Sequence, residues 1–158
     1  MAAAQSKRTV RATLRVAEPP AAYARRPRIV ADTTVLAAAV FGEEEAAQAV
    51  ALLQGRLAAA PHLVDFEMTN VAVMKVRRAR LPQEAVATAL AAYGALVIER
   101  HGIDPAAALT LALRYRLTAY DAVYLWLAER LEAPLATFDA TLARAAQAHL
   151  AGGTGAAG

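Results

Sequence analysis

Short apolar runs that alternate with longer helical stretches constrain this chain more than any other feature. The runs are RIVA at 28–31, PHLV at 61–64, Leu96 to Ile98, and PLATF at 134–138. Helical patterns separate them. A short helix follows Thr34, and EEEAAQAVALLQGRLAAA places acids in its first turn, where they complement the helix dipole. DFEMTNVAVMKVRRARL follows with Asp65 as the expected N-cap, then a helix opening at Pro82, then DPAAALTLALRYRL with Asp104 as cap and Pro105 as first residue. A helix from about Tyr120 and a last one in DATLARAAQAHL complete the series. Strands alternating with helices of about ten or more residues imply βαβ units and a parallel sheet. The expected fold class is α/β.

Composition sharpens this. Alanine supplies 44 of the 158 residues, so the 58% apolar fraction overstates the core and favours helix. The absence of cysteine excludes disulfides and thiolate metal sites and suits a reducing cytoplasm. The longest uncharged apolar run, Ala85 to Ile98, is too short to span a bilayer, and no secretory leader is expected. The net charge of +3 is uneven: residues 1–28 carry +6 and the remainder −3. Residues 1–27 show no sustained period and read as a basic arm, either a phosphate-binding tail or a plain extension. Residues 28–150 form the expected domain, and the glycine-rich 151–158 reads as a disordered tail.

In open parallel sheets ligands bind outside the carboxyl ends of the strands. Four acids fall there: Asp32 after RIVA, Glu67 beyond PHLV, Asp121 at a helix start, and Asp139 after PLATF. Two unit charges about 4 Å apart repel by about 4 kcal/mol at an effective dielectric near 20. Such a cluster needs protons or a cation, and an oxygen-only donor set favours Mg²⁺ or Mn²⁺. A metal so held can activate water for phosphodiester cleavage. Each acid also has a plainer role. Asp32 and Asp139 could cap the helices that follow them, Asp121 could complete a capping box with Thr118, and Glu67 could be a solvated first-turn acid.

The motifs IVADTTVL, PHLVDFEMTNVAV and LTAYDAVYLWLAERLEAPLATFDATLARAA carry a resemblance, across about residues 29–148, to the PIN-domain ribonucleases, and most closely to the VapC toxins of type II toxin–antitoxin modules. The resemblance implies a three-layer α/β/α sandwich with a short central parallel sheet. It implies that Asp32, Glu67, Asp121 and Asp139 form the acidic site, with Asp32, Asp121 and Asp139 holding Mg²⁺ or Mn²⁺ and Thr34, Asn70 and Thr137 supporting it. It further implies endoribonuclease activity on RNA, often tRNA or rRNA, a cognate antitoxin, a homodimer, and a cytoplasmic location without membrane attachment. The chain departs from the pattern in having threonine at 34 where serine is usual, in its basic arm, and in offering no further strand after the last helix. An inactive PIN-fold protein-binding module is the alternative; the chain shows nothing like the extra elements with which a DNA flap nuclease grips a junction.

Other residues read more plainly. His62, His101 and His149 lack ligand spacing and read as structural or surface groups. Asp65 reads as a cap before it reads as a metal ligand. Arg77, Arg78 and Arg80 fit a solvated helix end as well as a phosphate or antitoxin contact. Tyr115, Tyr120, Tyr124 and Trp126 fit a core or an interface better than base stacking.

Overall fold

A computed structural model describes residues 26–152. Most of the basic arm and the end of the glycine-rich tail lie outside these residues. Eleven elements follow in order: β1 (Arg28–Ala31), α1 (Thr33–Phe41), α2 (Ala46–Leu53), β2 (Leu57–Pro61), α3 (Val64–Arg77), α4 (Gln83–Gly94), β3 (Ile98–His101), α5 (Pro105–Tyr115), α6 (Ala119–Arg130), β4 (Leu135–Ala136) and α7 (Ala140–Gly152). All strand pairs are parallel, in the order β3-β2-β1-β4. The α/β sandwich expected from the sequence is the fold observed.

β1 is buried on both faces, as a central parallel strand must be. Ile29 packs with Val35, Ala38, Ala49 and Ala136. Val30 belongs to the larger cluster with Tyr124, Leu125, Leu127 and Leu142. Helix α6 is the inner helix of that side: all residues from Ala122 to Leu125 are buried, and Trp126 is half-buried with the Arg130 guanidinium over its ring. The apolar middle of LTAYDAVYLWLAER is thus scaffold.

Three local expectations are corrected. LAAAP, expected as the end of a helix, is strand β2. Gly55, at φ 74°, turns the chain after α2, and small alanines fit where β1 and β3 flank the strand on both sides. PHLV is consequently the end of β2, a turn, and the first residue of α3. Asp65 then lies inside the first turn of α3, not at its cap; Leu63 occupies the cap without a side-chain bond. Asp65 instead pairs with Arg100 on β3 at 2.8 Å and accepts from the Tyr93 hydroxyl of α4 at 2.7 Å. The Arg100 guanidinium beside Asp65 holds its carboxyl below the usual range. The third strand is Ile98–His101, not Leu96–Ile98. Leu96 and Val97 are exposed, and the polar IERH is usable on an edge because Glu99 pairs with Arg28 at 2.6 Å and Arg100 with Asp65.

β4 is shorter than PLATF, and no strand follows α7 among the described residues. His62 is exposed, His101 approaches Glu99 at 3.7 Å, and His149 bridges Tyr115 and Glu129 at 3.0 and 3.1 Å. No helix among the described residues is long and apolar enough to cross a membrane.

Helix α6 ends on Glu132 in the left-handed region, φ 48°, with the Ala133 amide returning to the Ala128 carbonyl. A side chain in that conformation costs about 1–2 kcal/mol, which glycine avoids. Glu132→Gly is expected to raise unfolding free energy by about 1 kcal/mol. Urea denaturation checks this, and an unchanged or lower midpoint would contradict it.

Candidate active site

The carboxyl edge of the sheet gathers the acids by three local routes. β1 runs straight into Asp32, whose φ/ψ of −68° and 155° ends the strand and opens α1. Asp32 is only 6% exposed, so its negative charge needs donors. Two threonine hydroxyls supply them: Thr34 and Thr137 each donate to Oδ2 at 2.8 Å. The Thr34 oxygen in turn accepts the Phe138 amide at 3.0 Å, and the Thr137 oxygen accepts the Asp139 amide at 2.9 Å. These bonds tie the loop after β4 to the start of α1.

Glu67 reaches the same edge from the first turn of α3. Its Oε2 accepts from Thr33 Oγ1 and from the Tyr124 hydroxyl, both at 2.6 Å, and those two oxygens are 2.8 Å apart. Oε1 has no hydrogen-bond donor among the described residues. Thr33 and Tyr124 were not singled out as site residues from sequence. The available signal was that DTT places two hydroxyls in succession after Asp32, and that Tyr124 stands one helical turn after Asp121.

Asp121 and Asp139 also fill the capping roles open to them. The Thr118 hydroxyl accepts the Asp121 amide at 3.1 Å and donates to Asp121 Oδ2 at 2.7 Å. Asp139 Oδ1 accepts the Leu142 amide at 2.7 Å at the start of α7. Asn70 is exposed on α3 and makes no hydrogen bond to any of the acids.

Electrostatics links three of the four. Burial holds the Asp32 carboxyl above its ordinary value; the bonds from Thr137 and Thr34 offset part of this, and the Asp121 charge adds to it. Burial likewise raises Glu67, with Thr33 and Tyr124 opposing and the charges of Asp32 and Asp121 adding. Asp32, Glu67 and Asp121 therefore feel one another, and among the described residues no cation pairs with any of them. Asp139 joins through Thr137 and not through direct charge contact. Among the described residues no three acids or histidines stand close enough to enclose a cation as they are. The donor set still fits a hard divalent ion: it is oxygen-only, negatively charged and unneutralised, with one Glu67 oxygen free.

An acid-rich edge on a short parallel sheet between helical layers defines a PIN-like protein. The PIN-domain family profile matches residues 29–148. Ribonuclease VapC1 of Mycobacterium tuberculosis is 36% identical over 95 residues, which cover 60% of this chain and 71% of that protein. VapC ribonuclease Mb0985 of Mycobacterium bovis is 32% identical over 120 residues, covering 76% and 92%. The crystal structure of PAE2754 from Pyrobaculum aerophilum superimposes with a TM-score of 0.58 at 19% identity, over 87% of this chain and 96% of that one, a likeness of fold. The chain belongs to the PIN-domain family, and within it to the VapC type.

Two stability predictions follow from the donors. A carboxyl whose folded-state pKa exceeds its unfolded value holds its proton better when folded. Its stabilising contribution is complete below the unfolded pKa, 3.8 for Asp32, and is lost as pH rises through the raised folded value. In EDTA, the melting temperature of Asp32→Asn minus that of wild type should grow from about pH 4 to about pH 7, because asparagine cannot ionise. A difference that is flat with pH would show that Asp32 carries no such penalty. Tyr124→Phe removes a donor to a carboxylate and should lower unfolding free energy by about 1.5–3 kcal/mol in chemical denaturation.

Proposed function

We propose that this chain is a metal-dependent endoribonuclease and the toxin of a VapBC-type pair. The observation that carries the reading is the unneutralised carboxylate edge, with Asp32, Glu67 and Asp121 in electrostatic contact and Asp139 tied to Asp32 through Thr137. The names of the relatives at 36% and 32% identity, both ribonucleases, support RNA as substrate. Their VapC names support an antitoxin partner. A homodimer is part of the same proposal.

Asp32, Asp121 and Asp139 would hold Mg²⁺ or Mn²⁺, and Glu67 would assist. When bound, the ion supplies an activated water and neutralises charge that develops on the phosphate. The chain's own residues prepare for this. Thr34 and Thr137 fix the Asp32 carboxylate against rotation. Thr33 and Tyr124 occupy one oxygen of Glu67, which orients the other. Burial raises the Asp32 and Glu67 carboxyls above their ordinary values, so a bound cation would be favoured at both. Asn70, one helical turn after Glu67 on α3, would support the site from beside that acid.

Incubation of RNA with the purified chain in Mg²⁺ or Mn²⁺ tests the reading. Cleavage should fall at least about a hundredfold in Asp32→Asn and in Asp121→Asn, as for loss of a group that stabilises developing charge. EDTA should abolish it. Activity that survives EDTA, or variants as active as the wild type, would sink the assignment.

A further inference from the structure

The acids leave a substrate polyanion with a problem. Phosphates on either side of the scissile bond also carry charge, and residues 29–158 are net acidic by three. Positive charge is nevertheless concentrated at one place on the folded domain. A recess of about 210 Å³ beside the far end of α3 is lined by Glu43, Asn70, Met74, Lys75, Arg78 and Arg80, among others. Lys75 is already committed: it pairs with Glu43 and lies 5.2 Å from the Phe41 ring. Arg78 and Arg80 are different. Both are exposed, and among the described residues neither has a carboxylate partner or a side-chain hydrogen bond.

The recess and the acid edge lie at opposite ends of one helix. Glu67, Asn70 and Met74 recur at three- and four-residue steps on one face of α3, and Arg78 caps that helix one further step on. At about 1.5 Å per residue, Arg78 lies roughly 16 Å along the axis from Glu67. That length matches about five stacked nucleotides at roughly 3.4 Å each. The chain then turns back. Ala79 takes a left-handed φ of 50° without being glycine, and the Arg80 amide bonds the Lys75 carbonyl at 3.0 Å. This turn returns Arg80 to the helix end beside Lys75, so both free guanidiniums line one recess. Guanidinium is the side-chain group best matched to phosphate, through paired N–H donors.

We propose that Arg78 and Arg80 form a phosphate subsite for the RNA strand, one that holds the chain some nucleotides away from the acids along α3. The inference rests on the ribonuclease reading for its substrate and adds where that substrate is gripped. Lys75 does not contribute a contact, because Glu43 neutralises it. Asn70 lies between the two ends and faces the sugar-phosphate chain as it passes.

The test measures binding rather than cleavage, so its failure is separable from failure of the nuclease reading. The full chain carrying Asp32→Asn, with its basic arm kept, is titrated against a fluorescent twelve-nucleotide oligouridylate at several salt concentrations in EDTA. Adding Arg78→Ala and Arg80→Ala should weaken binding about tenfold or more near 0.1 M salt and flatten the slope of log affinity against log salt by about 1.4, two contacts at roughly 0.7 each. The Arg78→Lys, Arg80→Lys pair keeps the charge and should restore most of the slope. Thermal melting establishes that the variants fold. Unchanged affinity and slope in the alanine pair would overturn the proposal. So would polyglutamate that competes with the RNA on equal terms and loses its own binding in the same pair, since the recess would then be a site for an acidic polypeptide.

Discussion

The burial of Asp32 is the constraint on which the rest of the site depends. A carboxylate at 6% exposure, with no cation beside it among the described residues, is tolerable only if hydroxyls surround it. That requirement explains why threonines stand at 34 and 137, on segments 103 residues apart in sequence, and why the loop after β4 is stitched to the start of α1, with Thr137 donating to Asp32 and Thr34 accepting the Phe138 amide. The hydrogen bonds cannot be made unless β4 docks beside β1 in its observed register, Val30 against Leu135 and Ala31 against Ala136. The two-residue strand is thus held as much by the site as the site is held by it.

Structural and chemical roles do not compete at this edge. Asp121 completes the Thr118 capping pair and yet raises the pKa of both Asp32 and Glu67. Asp139 caps α7 and yet is bonded through its amide to the hydroxyl that serves Asp32. A helix N-terminus offers an acid a favourable dipole and free amide donors. Placing an acid there holds it at the sheet edge in fixed orientation. The cap is the means by which the carboxylate is positioned, so finding the cap says nothing against the chemistry.

This is also why the site was more legible than parts of the fold. The acids announce themselves in sequence because each sits at or within the first turn of a helix, Asp32 and Asp139 directly after a strand pattern and Asp121 after a turn. Asp104 with Pro105, and Thr118 before Asp121, mark α5 and α6 for the same reason, and both caps are made. β2 was not legible. Alanine has no strand signature, and LAAAP becomes a strand only because β1 and β3 stand on either side of it. Strand β3 was displaced in the reading because the apolar Leu96 and Val97 attract attention while the strand is the charged IERH, whose pairing with Arg28 and Asp65 no local window contains. Asp65 follows from the same cause: α3 starts at Val64, earlier than an Asp65 cap allows, and the acid becomes a tertiary ion-pair partner. Thr33 and Tyr124 were missed because their partner, Glu67, comes from an element distant in sequence from both.

The same geometry accounts for the open arrangement of the acids. Asp32 and Glu67 approach from β1 and α3, each with its own pair of donors, and Asp121 and Asp139 are anchored to separate helix starts. These anchors hold the carboxylates in fixed positions, although Asp32, Glu67 and Asp121 still feel one another's charge. Anchors that keep like charges apart also keep them from enclosing an ion unaided. The acids gathered at the carboxyl edge and the cations Lys75, Arg78 and Arg80 at the far end of α3 thus give the two ends of one helix opposite charge.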